Sequence, residues 1–379
     1  MSTSHHYRFS AVDTLFFGDG RPFQAADEGL ADVRSVFPPY PEVTSGALRA
    51  AIARALGWDG RSRFPTDLQT ALGRHRDDPG MLWTSEPVVL KDDTRLYTAP
   101  LHLALDANER PLLLEPGEER RTDRGPMRLL RTPDGQPAES LEGRWLHRRD
   151  FEDVLDGKAP RSEPARERSW LGEERRIGIE RNPHNRLVRR GQIYAVTEMR
   201  PDDDVTIGVE AGGLPNDLPE GWQQGVLSLL GGLQRLAEVS AGSDKPWDEA
   251  LSPSADAFQD GRYVVVLTSP MRLEGDAPDW RYDSAAKQGG YLEATLADRR
   301  TKQRLGPIVA AAVGRPLMIG GWDGIRREPL PMVPCVPAGS VFFIDSEEPP
   351  PAEPFRVGSR VAFGYGGCRI GAWPTAHGA

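Results

Sequence analysis

The chain has 379 residues, 38% apolar and 27% charged, with a formal charge of -9. That length accommodates two domains and that composition a packed core, which excludes collagen, coiled-coil and wholly disordered chains. The longest unbroken apolar run is the six residues from Ile308 to Val313, against roughly 20 needed to cross a bilayer. The first residues lack a basic start followed by an apolar segment, so an unexported, cytoplasmic protein without a membrane partner is expected.

Apolar patterning predicts strands over Tyr7–Phe17, Pro87–Leu90, Arg95–Leu105, Gln192–Met199, Val205–Val209, Arg262–Thr268, Leu317–Ile319, Ser340–Ile344 and Arg360–Phe363. The clearest helix is predicted over Ser45–Leu56, with Thr44 or Ser45 as its cap and Gly57 as its terminator. Its apolar face is Ala47, Leu48, Ala51, Ile52, Ala55 and Leu56. Many strands, few helices and frequent Gly and Pro breaks indicate an α+β class. Between Asp106 and Arg176 the sequence turns polar and reads as an extended insertion, and a second polar stretch runs from Ala241 to Gly261. Proline and acids at Pro201–Asp204 mark the expected division into domains 1–200 and 201–379.

Cys335 and Cys368 are the two cysteines, too few for a disulfide framework or a four-cysteine zinc site. The seven histidines lack close ligand spacing, so neither metal nor cofactor is expected. No phosphate-binding G-x-x-x-x-G-K-[ST] loop, nucleophile elbow or C-x-x-C pair is present. Gly364-Tyr365-Gly366-Gly367-Cys368-Arg369 begins like a dinucleotide fingerprint but ends in arginine, with too little chain beyond it for a β-α-β unit. Bare glycines there let a backbone approach something planar or anionic, or simply form a tight hairpin. Asp13 and Asp19 read as turn residues rather than as a general base.

The cations carry more information. Of 47, five are lysine and 42 arginine, a bias that a GC-rich genome explains, although the planar fork of arginine also matches phosphate and stacks on bases. From Arg175 to Arg190 the chain carries Arg175, Arg176, Arg181, Arg186, Arg189 and Arg190 against the single acid Glu180. A solvated basic loop and the edge of a phosphate-tracking groove both fit this stripe. His184 lies within it; a lone histidine with no second proton carrier is a weak basis for metal-free RNA cleavage.

Asp13-Thr14-Leu15-Phe16-Phe17-Gly18-Asp19-Gly20-Arg21-Pro22-Phe23, followed by Phe37-Pro38-Pro39 and Thr44-Ser45-Gly46-Ala47-Leu48-Arg49, resembles the amino-terminal signature of the Cmr three family, RAMP proteins of type III-B CRISPR effector complexes. Ile177-Gly178-Ile179-Glu180-Arg181 with Gly191-Gln192-Ile193-Tyr194 is similar to that family's central strand pair. Leu230-Gly231-Gly232-Leu233-Gln234-Arg235 is similar to its glycine-glycine turn, with Leu233 where an acid is common. Gly320-Gly321-Trp322-Asp323, Val336-Pro337-Ala338-Gly339-Ser340-Val341 and Gly364-Tyr365-Gly366-Gly367 resemble its carboxy-terminal set.

The resemblance implies two ferredoxin-like (RRM-type) RAMP domains and a non-catalytic subunit. Such a subunit holds the 5′ handle of the guide crRNA, docks the large Cas-ten-type subunit and lies beside the backbone RAMP subunits in antiviral defence. The expected RNA-facing set is Arg21, Arg34, Ser45, Arg49, Arg54, Arg181, His184, Arg186, Arg189, Arg190, Gly366, Gly367 and Arg369, with Arg49 foremost because it stands one turn into the predicted helix. Of Phe16 and Phe17, one is expected in the core and the other free for stacking or an interface. The alternatives are a RAMP endoribonuclease acting through His184 and a protein-only assembly adaptor.

Overall fold

Residues 4–11 alternate in burial, with Tyr7 and Phe9 inside and His6, Arg8 and Ser10 half-exposed. This period of two is what a strand with one face on a core requires. The structure, a computed structural model, describes residues 4–19, 31–122, 125–181, 185, 187–222, 224–242, 247, 251, 261–273, 303, 305–323, 328–346, 349–350 and 355–374. The predicted α+β class holds: the sheets are mostly antiparallel and the helices few. By contacts the chain divides into two compact units, each discontinuous in sequence. The first comprises Met1–Asp93, Arg168–Asp244 and Met318–Val333, and the second Thr94–Glu167, Lys245–Leu317 and Pro334–Ala379.

In the first unit, antiparallel strands lie in the order Val88–Lys91, Val205–Gly212, Ser4–Ala11, Leu236–Ala241 and Val226–Leu229. Register places Tyr7 opposite Val209 and Phe9 between Ile207 and Val239. Helix α1 (Pro41–Ala55) covers the buried face with Leu48, Ala51 and Ile52, all fully enclosed. It begins one turn before its predicted start. Pro41 occupies the first helical position, where a missing N–H costs nothing, and the neighbouring prolines conceal this start. Thr44 and Ser45 are therefore interior residues and not caps; the Thr44 hydroxyl donates to the Pro41 carbonyl at 3.1 Å. Gly57, at φ +90°, ends the helix as expected.

A second sheet of this unit is a long hairpin, Leu171–Arg181 and Val188–Pro201, whose second strand also pairs in parallel with Ala31–Arg34. It extends the predicted Gln192–Met199 strand at both ends. Pro201 closes this strand, and Asp203 and Asp204 turn into the next strand of the same unit, with Asp204 2.6 Å from the Lys91 ammonium.

In the second unit the strands Ile308–Ala312, Val341–Asp345, Arg262–Leu267 and Cys368–Ala372 form a sheet in that order. Val264, Val265, Phe342 and Phe343 are fully buried in it. Helix α2 (Arg148–Leu155) adds Phe151, stacked on Tyr97 with ring centroids 4.2 Å apart. The polar stretch at 106–176 thus contributes to a core through Leu113, Leu141, Leu146, Phe151, Val154 and Leu155. It also forms the hairpin Glu115–Thr122 with Gly125–Arg131. Its apolar residues come singly or in runs of two or three between polar and charged residues, so composition hides them. The strand predicted at Arg360–Phe363 is instead a 3-10 turn, Val361–Phe363, entered through Arg360 in the left-handed region at φ +58°. Among the described residues no helix is long and apolar enough to cross a membrane.

Candidate nucleic-acid interface

Three sequence segments far apart in the chain meet beside the long hairpin. Leu15 exchanges backbone hydrogen bonds with Met199 on the hairpin's second strand, at 2.7 and 2.9 Å. The next residue, Phe16, accepts at its carbonyl from the Gly232 N–H at 2.9 Å. Gly231 stands at φ +78°, and a Cβ there would strike the Phe16 carbonyl and the Phe17 ring. Glycine is therefore required at this turn for close approach to the chain itself. Phe17 is buried in the core, whereas Phe16 lies half-exposed against Gly232, in keeping with opposite faces for adjacent residues.

Side chains from the same segments form an ion network. Glu198, only 2% exposed, accepts from the Thr14 hydroxyl and from the Arg235 guanidinium, with Arg176 Nε 3.4 Å away. Arg200 Nη2 lies 2.7 Å from both Asp13 Oδ1 and Glu174 Oε2. Hydrogen bonding from Arg200 holds the carboxyls of Asp13 and Glu174 below the usual carboxylate range. Each acid of this network thus faces a guanidinium. Among the described residues no group of three or more His, Cys, Asp or Glu side chains is placed to hold a metal ion.

The hairpin carries the arginine stripe. Arg175 and Ile177 are exposed on one strand, Ile177 by 70%, with Ile179 at 40% and Leu187 at 66% further along. Of the expected RNA-facing residues, Arg181 ends the first strand opposite Val188, and Arg189 and Arg190 belong to the second strand rather than to the loop before it. Arg34, exposed, lies opposite Thr197 in the same sheet. The fold therefore gathers Arg34, Arg181, Arg189 and Arg190 onto one three-stranded sheet. Arg21, His184 and Arg186 lie outside the described residues.

The remaining expected contacts are elsewhere. On α1, Ser45 and Arg49 lie in the interior, which corrects their placement on an open RNA surface. Because α1 begins at Pro41, Arg49 stands two turns from the helix start, and its Nη2 donates to the Leu82 carbonyl at 2.8 Å. The Ser45 hydroxyl is buried without a hydrogen-bond partner. Arg54 is half-buried with its guanidinium 5.8 Å from the Trp58 ring centroid. In the second unit Gly366, Gly367 and Arg369 are buried as well. A Cβ on Gly366, at φ +70°, would overlap the Val357 carbonyl, and the Gly367 N–H donates to Ser269 Oγ at 2.8 Å. These glycines admit the chain's own backbone, and Arg369 Nη1 donates to the Cys368 carbonyl at 3.0 Å. Sequence reasoning missed Glu198, Arg200 and Arg235. The available signal was the placement of Glu198 and Arg200 two apart on a strand, hence on one face.

Comparison with protein families places this strand-rich α+β chain in a class of CRISPR-associated proteins. Residues 7–373 match the family model described as CRISPR-associated protein (Cas_Cmr3), and the chain belongs to that family. The resemblance to the Cmr three family of type III-B effectors is thereby borne out. No curated protein matches the chain. A chain in a cryo-EM structure of the type III-B Cmr-beta bound to cognate target RNA is similar at 13% identity and a TM-score of 0.49, over 89% of this chain and 86% of that one. A chain in the crystal structure of the Csm3-Csm4 subcomplex of the type III-A CRISPR-Cas interference complex is similar at 10% identity and a TM-score of 0.39, over 97% of this chain and 99% of that one.

Proposed function

We propose that this chain is a non-catalytic RNA-binding subunit of a type III-B effector, built on two ferredoxin-like RAMP domains. It holds the 5′ handle of the guide crRNA and docks the large Cas-ten-type subunit beside the backbone RAMP subunits. The observation that carries the reading is the convergence of the family's motifs on the sheet that bears Arg34, Arg181, Arg189 and Arg190. An unpaired RNA tail is recognised by backbone clamps and splayed bases, and a hydrogen bond to a charged group contributes about 1.5 to 3 kcal/mol. A few forked cations thus outweigh a net charge of -9. Pairing of Asp13, Glu174 and Glu198 with guanidinium groups supports the non-catalytic assignment, because those carboxylates serve the fold.

The test incubates purified protein with repeat-derived RNA in EDTA and follows retention and cleavage. Handle-dependent retention without cleavage is the expected result. Replacing Arg189 and Arg190 with alanine should reduce the slope of log affinity against log salt by about 0.7 for each phosphate no longer neutralised. Cleavage abolished by His184→Ala would establish the endoribonuclease instead, and no handle-dependent retention with the large subunit present would establish the adaptor.

A further inference from the structure

Tyr194 occupies the central strand of the three-stranded sheet, directly opposite Gly178 on one side and Ala31 on the other. Opposed residues of an antiparallel pair share a face. A Cβ on Gly178 would collide with Cζ, Cε2 and Oη of Tyr194, so the ring lies across the space that any larger residue would fill. The two register neighbours are thus the two smallest residues, and the aromatic ring is half-buried against the sheet. Three residues beyond Gly178 stands Arg181, and four and five residues before Tyr194 stand Arg190 and Arg189. The sequence there is rich in cations, and the flat ring is complementary to a planar partner.

Resting on the RNA-binding reading above, we propose that Tyr194 is a stacking platform for one unpaired base, laid flat by Gly178. Aromatic–base stacking tolerates any sequence because every base presents a π-face. Bulk at position 178 would displace the ring and remove the platform without changing any charge.

The experiment measures binding of a short single-stranded RNA carrying 2-aminopurine to the full chain, by fluorescence quenching and by anisotropy. Tyr194→Ala and Tyr194→Leu should each weaken binding roughly 10- to 100-fold and abolish the quench, the range expected for loss of one stacked base. Tyr194→Phe, which keeps the ring, should rescue both relative to alanine, and Gly178→Ala should lower the quench. Denaturant midpoints of the leucine and phenylalanine variants separate loss of stacking from loss of folding. Wild-type affinity in Tyr194→Leu, with affinity lost on replacing Arg189 and Arg190, would overturn the platform and leave the RNA-binding reading standing. No binding of unpaired RNA by the wild-type chain would overturn both. Unchanged RNA affinity with impaired retention of the large subunit would assign the ring to a protein interface, again overturning the proposal.

Discussion

Arg235 donates to the carboxylate of Glu198, and this ion pair fastens the turn after Leu230 to the second strand of the arginine hairpin. Glu198 is almost fully enclosed and the Arg235 side chain is 21% exposed. Removing Arg235 leaves the Glu198 carboxylate with the Thr14 hydroxyl and Arg176 alone, and losing a hydrogen bond to a charged group costs about 1.5 to 3 kcal/mol. Arg235→Ala should therefore lower the urea midpoint strongly. Replacing both residues by apolar ones of similar volume should cost less than the single change, and a double-mutant cycle measures the difference.

Arg49 and Arg175 separate a structural arginine from an exposed one. Arg49 is buried with a guanidinium nitrogen on the Leu82 carbonyl, so Arg49→Ala should reduce stability by about 1.5 to 3 kcal/mol. Arg175 is exposed on the hairpin, and Arg175→Ala should leave the denaturant midpoint within about 0.5 kcal/mol of wild type. Urea unfolding of the two variants side by side tests the contrast.

His102 is fully enclosed, edge-on to Phe343, with neither ring nitrogen hydrogen-bonded. Burial pushes its pKa down to about 3. The folded state thus keeps the imidazole neutral while the unfolded chain takes up a proton below about 6.5. The neutral ring's contribution is complete above that value and is lost as pH falls towards 3. At about 1.4 kcal/mol per pH unit the loss is on the order of 2 kcal/mol by pH 5. His102→Leu should remove this component, read as a flatter plot of melting temperature against pH.

Gly366 tests whether its loop is a backbone crossing. At φ +70° with the Val357 carbonyl in the place of a side chain, Gly366→Ala should destabilise the second unit by more than the roughly 1 to 2 kcal/mol of a left-handed residue alone. The readout is the denaturant midpoint. An RNA-contacting glycine in open space would tolerate alanine without loss of stability.

Much of the fold was legible because its strands alternate cleanly. Tyr7 and Phe9, and the enclosed run Val264–Leu267, announce themselves by period and by β-branched content. The start of α1 was not, because Pro41 reads as a turn beside Pro38 and Pro39 when it is in fact a first helical residue. For the candidate site, sequence located the arginine hairpin and the glycine turn but not the burial of Arg49 and Arg369. An arginine on a helix or strand looks solvent-facing until the fold brings a distant carbonyl to it, as Leu82 to Arg49, or encloses it, as it does Arg369. Glu198 was hidden for the same reason, since its partners Thr14 and Arg235 lie far away in the chain.

The first unit begins with the strand at Ser4 yet includes Met318–Val333. During synthesis, the sheet around Ser4–Ala11 stays open on the ribosome until its last strand, Leu236–Ala241, has left the exit tunnel. Domains usually mature in the order in which they emerge; here the interleaved segments of the two units make that order unattainable, and the nascent chain spends most of its translation incomplete in both.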